Sequence, residues 1–291
     1  MLKKIRSAYI AKIIFSLTTK KKKLNIVKYS KFSRKKLDIK NRQYKTSSTT
    51  FIVYETRTKG KQYISKTKKL IFYGEFLNSK RNGEGKEFDE NGKIKFEGHY
   101  INGERNGKGK EYYDDGKIKF EGEYKNGQKN GIGLLYYKNG VLRFEGEYLN
   151  DEKNGKGIEY DYDGGIRFMG KYLNGERNGK GKEYINGGLV FRHLSDSKNW
   201  NKNKHRVLIF EGEYFNGLKH GYGKEYYFEG GLKFEGHFLY GERNGKGKEY
   251  DEFGNVKFEG EYLNGNRIGN ERQYKLGILN LKSKYNIWKH I

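Results

Sequence analysis

The chain has 291 residues, of which 34% are hydrophobic, and a mean hydropathy of −1.05. This is too polar for one large closed core. The 26 Tyr and 18 Phe are nevertheless too many for a solvated tail, which excludes a wholly disordered chain. The absence of Cys excludes disulfides, thiolate metal sites and a cysteine nucleophile.

The formal net charge of +25 is distributed unevenly along the chain. Residues 1–69 hold 22 Lys and Arg against two acids, Asp38 and Glu55. The remaining residues hold 39 Lys and Arg against 34 acids, so they are nearly balanced. An electrostatic partner is therefore expected at the N-terminus.

Residues 1–50 form a basic N-terminal segment, which we expect to be either partly helical or disordered. Its apolar residues recur at near-helical spacing as Leu2, Ile5, Tyr9, Ile13 and Leu17. Such a basic amphipathic pattern fits an anionic membrane surface or a mitochondrial targeting segment, whereas the alternative is a solvated tail. The apolar run is too short for a transmembrane helix. The candidate contact residues of this segment are Lys20, Lys21, Lys22, Lys23, Arg34, Lys35 and Lys36.

A short phrase, FEG or a close variant, recurs eight times at a spacing of 24 residues, except for one gap of 42. A fixed period of this length indicates an array of small stacked units. The array extends over residues 51–277. Its structural glycines are Gly74, Gly98, Gly122, Gly146, Gly170, Gly212, Gly236 and Gly260.

Each unit has the pattern of a β-hairpin. Between Lys117 and Tyr124, apolar residues and glycine alternate strictly with charged residues, which is the period of a half-buried strand. The pairs Asn102-Gly103, Asn106-Gly107 and Asp115-Gly116 are turn signals. The sequence thus predicts an all-β fold, an elongated antiparallel meander of stacked hairpins that advances about 10 Å per unit.

Aromatic residues repeat in three columns, and we expect all three to stack into the core. The first column runs from Phe96 to Phe258, the second from Phe76 to Tyr262 and the third from Phe88 to Tyr274. Gly107 and Gly109 are expected to leave room for a neighbouring ring such as that of Phe120 or Tyr124.

The repeated pattern FEGEYLNGERNGKGKEYDEFG, followed closely at residues 234–254 and more loosely at 258–278, resembles the membrane occupation and recognition nexus (MORN) repeat. The stretches KEYYDDGKIKFEGEYKNGQKNG and LLYYKNGVLRFEGEYLN also resemble its close bacterial variant, found in antitoxin-like proteins. The resemblance covers residues from about 51 to about 277. It implies a scaffold that contacts proteins or itself, and lipid binding is often ascribed to the family.

An insertion and two caps depart from the period. The insertion, at about 191–208, carries the candidate contact residues Trp200, Lys202, Lys204 and Arg206 on a protruding loop. The alternative is a tolerated surface loop without a function of its own. Residues 51–73 are interpreted as a degenerate first unit, and residues 278–291 as a C-terminal cap.

No catalytic or metal-binding constellation stands out in the array. Glutamates such as Glu97, Glu121, Glu145 and Glu235 recur beside lysines, which is typical of cross-strand charge pairs and not of a unique catalytic dyad. The histidines lack the spacing of a metal site. We therefore expect neither enzymatic activity nor a cofactor.

The leading hypothesis is a non-catalytic repeat scaffold that binds a protein partner, at an anionic membrane surface if the basic segment contacts lipid. This predicts a cytoplasmic or peripheral-membrane location, with self-association as a further mode of contact. The alternatives are polyanion binding through residues 1–50 and a bacterial-type antitoxin. Nucleic acid is disfavoured because the chain has no recognised nucleic-acid motif.

Overall fold

The computed structural model describes residues 49–186, 206–275 and 278–280. Nearly all of the basic N-terminal segment, including its candidate lysines and arginines, lies outside the described residues, as do Trp200, Lys202, Lys204 and most of the predicted C-terminal cap. The described residues form nineteen strands and no helix. The all-β prediction is therefore confirmed for this part of the chain.

Strands of three to eleven residues follow one another along the described chain. The odd-numbered strands are β1 Thr50–Tyr54, β3 Leu70–Leu77, β5 Ile94–Ile101, β7 Ile118–Lys125, β9 Leu142–Leu149, β11 Ile166–Leu173, β13 Arg206–Phe215, β15 Leu232–Leu239, β17 Val256–Leu263 and β19 Ile278–Asn280. The even-numbered strands are β2 Lys59–Ile64, β4 Lys80–Phe88, β6 Glu104–Tyr112, β8 Gln128–Tyr136, β10 Glu152–Tyr160, β12 Glu176–Asn186, β14 Leu218–Tyr226, β16 Glu242–Tyr250 and β18 Asn266–Lys275.

Every strand pairs antiparallel with the strand that follows it in sequence, which gives a single meander. The pairing of β12 with β13 continues the sheet across the insertion, with Asn186 opposite Arg206. The array is thus not divided by the additional residues. This confirms the predicted antiparallel meander.

Two kinds of turn line the two long edges of the sheet. At one edge, which we call the NG-turn edge, Asn102 and Gly103 have φ of 54° and 101°, as a two-residue type I′ hairpin turn requires. At the other edge, the DG-turn edge, the Asp115 carboxylate accepts a hydrogen bond from the backbone N–H of Lys117. The predicted turns Asn102-Gly103 and Asp115-Gly116 are confirmed.

The third predicted turn, Asn106-Gly107, is wrong because both residues lie inside β6. Between the pairs Gly98–Gly109 and Tyr100–Arg105 the register shifts, so β6 carries extra residues there. Gly107 accommodates this bulge with a φ of 86°, in the left-handed region that glycine enters without steric cost.

Glycines stand opposite one another from strand to strand and form a continuous row across the sheet. Gly109, for example, faces Gly98 on one side and Gly122 on the other. The row consists of Gly60, Gly74, Gly85, Gly98, Gly109, Gly122, Gly133, Gly146, Gly157, Gly170, Gly181, Gly212, Gly223, Gly236, Gly247 and Gly260. All eight glycines of the FEG phrases belong to it.

The row exists because phenylalanine rings lie flat across it. A Cβ atom on Gly109 would lie 2.4 Å from Cζ of Phe96, and one on Gly133 would lie 2.5 Å from Cζ of Phe120. From Gly85 on β4 to Gly247 on β16, the ring over each even-strand glycine thus comes from the preceding strand. The prediction that a neighbouring ring covers Gly109 is confirmed, but the ring is that of Phe96 and not that of Phe120 or Tyr124. For Gly107 the prediction is wrong, because this glycine serves the bulge.

The core lies on the face of the sheet that carries these rings, which we call the aromatic face. Phe72 and the seven phenylalanines of the first column are 0% exposed, and the second column is 1–7% exposed. Rings of the two columns meet edge to face, as Phe96 and Tyr124 do with centroids 5.2 Å apart. From Phe96 to Phe234, each phenylalanine of the first column contacts the second-column ring of its own repeat and that of the next, which links neighbouring hairpins.

The third aromatic column does not belong to this core, so that part of the prediction is wrong. Its described members are only half-buried, and Tyr112 donates a hydrogen bond to Glu97 on the opposite face of the sheet. We call this opposite face the ionic face. The prediction failed because the strand pleat alternates side chains between the two faces, which places Tyr112 on the side of Lys110 and not on that of Gly109.

Candidate functional site

Cations cover the outer surface of the aromatic core. The Arg105 guanidinium lies 4.0 Å from the centroid of the Phe96 ring and pairs with Glu87 at 2.7 Å and Glu111 at 3.0 Å. Burial alone would raise the pKa of Glu87, but the hydrogen bond and charge of Arg105, with the charge of Arg81, lower it below its ordinary value. The carboxylate is therefore held ionised between the two guanidinium groups.

The same arrangement repeats along the array and forms a ladder of charges above the rings. The cations of the ladder are Arg81, Arg105, Lys129, Lys153, Arg177, Lys219, Arg243 and Arg267. Leu135 stands at the position of the recurring glutamate and packs against the core instead. The ladder leaves the rings of the first two columns covered, so these rings do not offer a binding surface.

Cross-strand ion pairs dominate the ionic face. Lys86 pairs with Glu97 at 2.9 Å and Lys110 with Glu121 at 3.2 Å. The interpretation of the recurring glutamates as members of lysine–glutamate pairs is confirmed for both and for Glu235, which pairs with Lys224 at 3.6 Å. It is wrong for Glu145, because Leu134 and Ile158 stand opposite it where other hairpins have lysine. A shallow groove of about 610 Å³ runs between the rows of charged side chains, above the glycine row from Gly74 to Gly133.

The NG-turn edge carries exposed apolar side chains, which the sequence reasoning did not find. They occupy the position after the second aromatic column, and the alternation of the strand could have indicated that they point away from the core. They are Leu77, Ile101, Leu149, Leu173, Phe215, Leu239 and Leu263. Single exposed leucines are normal on a soluble protein, so this row alone does not identify a site.

Further exposed apolar and aromatic side chains join this row on β13–β16, and we call the group of Phe215, Leu218, Tyr222, Leu239 and Tyr240 the edge patch. Tyr222 lies at its margin on the ionic face, where its hydroxyl donates a hydrogen bond to Glu235 at 3.1 Å. All five side chains are at least 40% exposed. Phe215 and Leu218 face each other across one hairpin. The Leu218 Cδ2 atom also lies 3.9 Å from the point where a Cβ atom would stand on Gly241, in the next hairpin. The apolar surface therefore extends over two neighbouring hairpins.

Three members of the edge patch depart from the repeat in the same direction, from polar to apolar or aromatic. Leu218 stands where Glu104, Glu152, Glu176 and Glu242 occur in other hairpins. Tyr222 replaces a position that is mainly lysine, as in Lys108, Lys156, Lys180 and Lys246. Tyr240 replaces the turn asparagine found as Asn102, Asn126, Asn150, Asn174, Asn216 and Asn264.

Tyr240 is strained as well as exposed. Its φ of 49° lies in the left-handed region, where asparagine is tolerated but a bulky side chain is an outlier. Its ring is 67% exposed and lies 5.9 Å from that of His220, which is itself 5.5 Å from the ring of Phe215. An aromatic side chain is thus kept at a costly backbone position without being buried.

The repeats themselves match known family models. A model described as MORN repeat variant matches residues 81–102, 105–126 and 243–264. A model described as MORN repeat matches residues 120–141, 144–166, 168–189 and 210–232. Together these matches cover about half of the chain. This chain is a MORN-repeat protein. The predicted family resemblance is confirmed.

Other comparisons add little to the MORN assignment. No curated protein matches this chain significantly. Among solved structures, the array is similar to TarM from S. aureus in complex with fondaparinux, α-GlcNAc-glycerol and UDP, at 17% identity and a TM-score of 0.27 over 45% of this chain. A second crystal structure of TarM aligns at 15% identity and a TM-score of 0.26 over 49% of this chain. The chain spans about a quarter of the length of these structures.

The described part of the MORN array contains one of the candidate contact residues, Arg206. The sequence placed it on a protruding loop, but it begins β13 and its side chain is only 7% exposed. Its guanidinium binds the carboxylates of Asp161 and Asp163 in the preceding DG turn. Arg206 therefore ties the first strand after the insertion to the hairpin before it.

The described residues contain no group of three or more His, Asp or Glu side chains that could hold a metal ion. Within the described ranges, no helix is long and apolar enough to cross a membrane.

Proposed function

We propose that this MORN-repeat protein is a non-catalytic scaffold that binds a protein partner through the edge patch. The observation that carries the proposal is the set of departures at Leu218, Tyr222 and Tyr240. A repeat can accept polar residues at these positions, as the other hairpins show. The apolar replacements are all exposed, so burial within the chain does not account for them.

The strained turn at Tyr240 supports the same proposal. A bulky residue in the left-handed region lowers the stability of the fold by on the order of 1 kcal/mol or more, and strained residues of this kind cluster at functional sites. Tyrosine supplies a large, rigid and amphipathic contact surface, and it is enriched at the energetic centres of protein interfaces. The edge patch therefore has the composition of a protein contact site.

Site-specific cross-linking tests this proposal. A photoreactive phenylalanine analogue would replace Tyr240 in the full chain, and in a matched control it would replace Asn126, which occupies the same turn position in another hairpin. After illumination in an extract of the native cells, we expect a discrete adduct from position 240 that position 126 does not give. Equal adducts from both positions would contradict a specific site.

We also propose that the scaffold contacts an anionic membrane. This part of the proposal rests on the positive charge of the N-terminal segment. Residues near an anionic leaflet gain about 1 kcal/mol per Lys or Arg, so this segment supplies the attraction and the nearly balanced array does not. Liposome flotation of the full chain, with and without anionic lipid and at two salt concentrations, measures it. Flotation that is independent of anionic lipid and of salt would contradict the electrostatic contact.

A further inference from the structure

A second departure from the repeat lies on the ionic face, on strands β8–β11 and away from the edge patch. We call it the apolar window and define it by Ile132, Leu134, Ile158 and Met169, which surround Glu145. Ile132 is 58% and Met169 is 40% exposed. On the neighbouring strands, the same face is occupied by lysine–glutamate pairs such as Lys110–Glu121 and Lys182–Glu211.

The window arises from the same positions that carry the ion pairs elsewhere. Leu134 and Ile158 replace the lysine found as Lys86, Lys110, Lys182, Lys224 and Lys248, and Met169 replaces the recurring glutamate of the FEG phrase. Ile158 on β10 lies directly opposite Met169 on the adjacent strand β11, so these two apolar side chains are neighbours. Ile132 replaces a position that is mainly lysine, as in Lys108 and Lys180. The four replacements change a charged strip into an apolar one over adjacent strands.

Glu145 is left with apolar cross-strand neighbours as a result. The register places it opposite Leu134 on one side and Ile158 on the other, where other hairpins place lysine. Its carboxylate accepts a hydrogen bond from the Tyr160 hydroxyl at 2.6 Å. A carboxylate among aliphatic side chains favours a ligand that combines a cation with apolar groups.

The N-terminal segment of the same chain has this composition. Residues 1–17 combine the apolar residues Leu2, Ile5, Ile13 and Leu17 with four cations and contain no acid. The roughly 30 residues between Leu17 and β1 could span about 100 Å when extended. The window lies seven to ten strands from β1, or roughly 35–50 Å at the usual strand spacing. The segment can therefore reach it.

We propose that residues 1–17 dock on the apolar window of their own chain, with a cation of the segment beside Glu145. Charge complementarity and apolar area act together in this contact, and the tether makes it intramolecular. The docked segment covers the middle of the ionic face and leaves the edge patch accessible to a partner.

The absence of native cysteine allows a clean test in the full chain. A Ser16→Cys variant would be combined with Ile132→Cys in the window or, as a matched control, with Lys108→Cys. Lys108 occupies the same position one hairpin nearer to the N-terminus, so a tether without docking would favour Lys108. A short bifunctional thiol reagent then reports proximity, after correction for the reactivity of each cysteine alone.

We expect about tenfold more intramolecular cross-linking to position 132 than to position 108, because docking raises the local concentration of the segment. Adding Glu145→Lys should remove this preference, and high salt should weaken it. A variant with Leu134→Lys and Ile158→Lys restores residues found in other hairpins and should also lose it while remaining folded. Equal cross-linking at both positions, or cross-links found only between chains, would overturn the proposal.

Discussion

The aromatic face and the edge patch are built from the same 24-residue unit, but they follow it in opposite ways. On the aromatic face, each FEG-phrase position that is Phe in the pattern is Phe, and Phe72 takes the equivalent position in the first unit; all eight rings are 0% exposed. In the edge patch, Leu218, Tyr222 and Tyr240 replace polar residues and stay exposed. Residues that keep to the repeat thus maintain the fold, whereas exposed residues that depart from it are candidates for function.

Removing a ring tests the first half of this comparison and should have the largest effect. Phe120→Ala deletes a fully buried ring that covers Gly133, so we expect a loss of roughly 3–5 kcal/mol in the free energy of unfolding. Phe253→Ala removes a ring that is 89% exposed, and it should change stability by no more than about 0.5 kcal/mol. Denaturant unfolding measures both, and similar losses in the two variants would contradict the assigned core.

Substitutions at two glycines distinguish two reasons for glycine in this fold, close packing against a ring and a positive φ. In Gly109→Ala the new methyl group would overlap the Phe96 ring, which we expect to cost about 1–3 kcal/mol. In Gly116→Ala the site has nothing within 4 Å, so the cost is that of a φ of 85°, about 1 kcal/mol. Unfolding of the two variants compares these costs, and a milder effect at Gly109 would show that the ring moves aside.

Acid should weaken the ladder above the rings. Burial alone would raise the pKa of Glu159, but the hydrogen bonds and charges of Lys153 and Arg177 lower it below 4.5. The unfolded chain then takes up the proton first as the pH falls, so this contribution is present above pH 4.5 and is lost as the pH falls toward the lower folded pKa. Melting temperatures from pH 7 to pH 3 should fall less steeply for Glu159→Gln than for the unmodified chain. As a control, Glu252→Gln should keep the original profile.

A substitution of Tyr240, the turn residue of the edge patch, tests the second half of the comparison, and its expected effect on stability is the smallest. Tyr240→Asn restores the residue found at this position in most hairpins, so we expect stability to rise by about 1 kcal/mol as the strained φ is relieved. The reverse change, Asn126→Tyr, should lower it by a similar amount. A loss of stability in Tyr240→Asn would mean that the tyrosine is kept for the fold, and this would remove one support of the proposed site.

The sequence predicted the strands, the meander and two of the three turns because these depend on local alternation and on Asn-Gly and Asp-Gly pairs. It misplaced Asn106-Gly107 because a bulge glycine and a turn glycine look alike in one sequence. The third aromatic column was assigned to the core for a similar reason. Periodicity shows that Tyr112 recurs, but its face follows from the alternation along β6, which places Tyr112 on the side of Lys110 and opposite to Gly109.

The candidate surface was harder to predict, because the most conspicuous features of the sequence are its net charge and the residues outside the repeat. Arg206 illustrates the difficulty, because its partners Asp161 and Asp163 lie more than 40 residues away in sequence. The edge patch was available from the aligned repeats as a set of exceptions. Only the structure showed that Leu218 lies beside the turn of Tyr240 and that all three replacements, Leu218, Tyr222 and Tyr240, remain exposed.

The central claim is that exceptions to the repeat carry partner binding without carrying the fold. A combined variant, Leu218→Glu with Tyr222→Lys and Tyr240→Asn, restores residues found in other hairpins, and a photoreactive residue at Leu239 reports contact. We expect this variant to melt at the same temperature as the unmodified chain or higher, and to lose the cross-linked partner. An unchanged cross-link in a folded variant would contradict the claim.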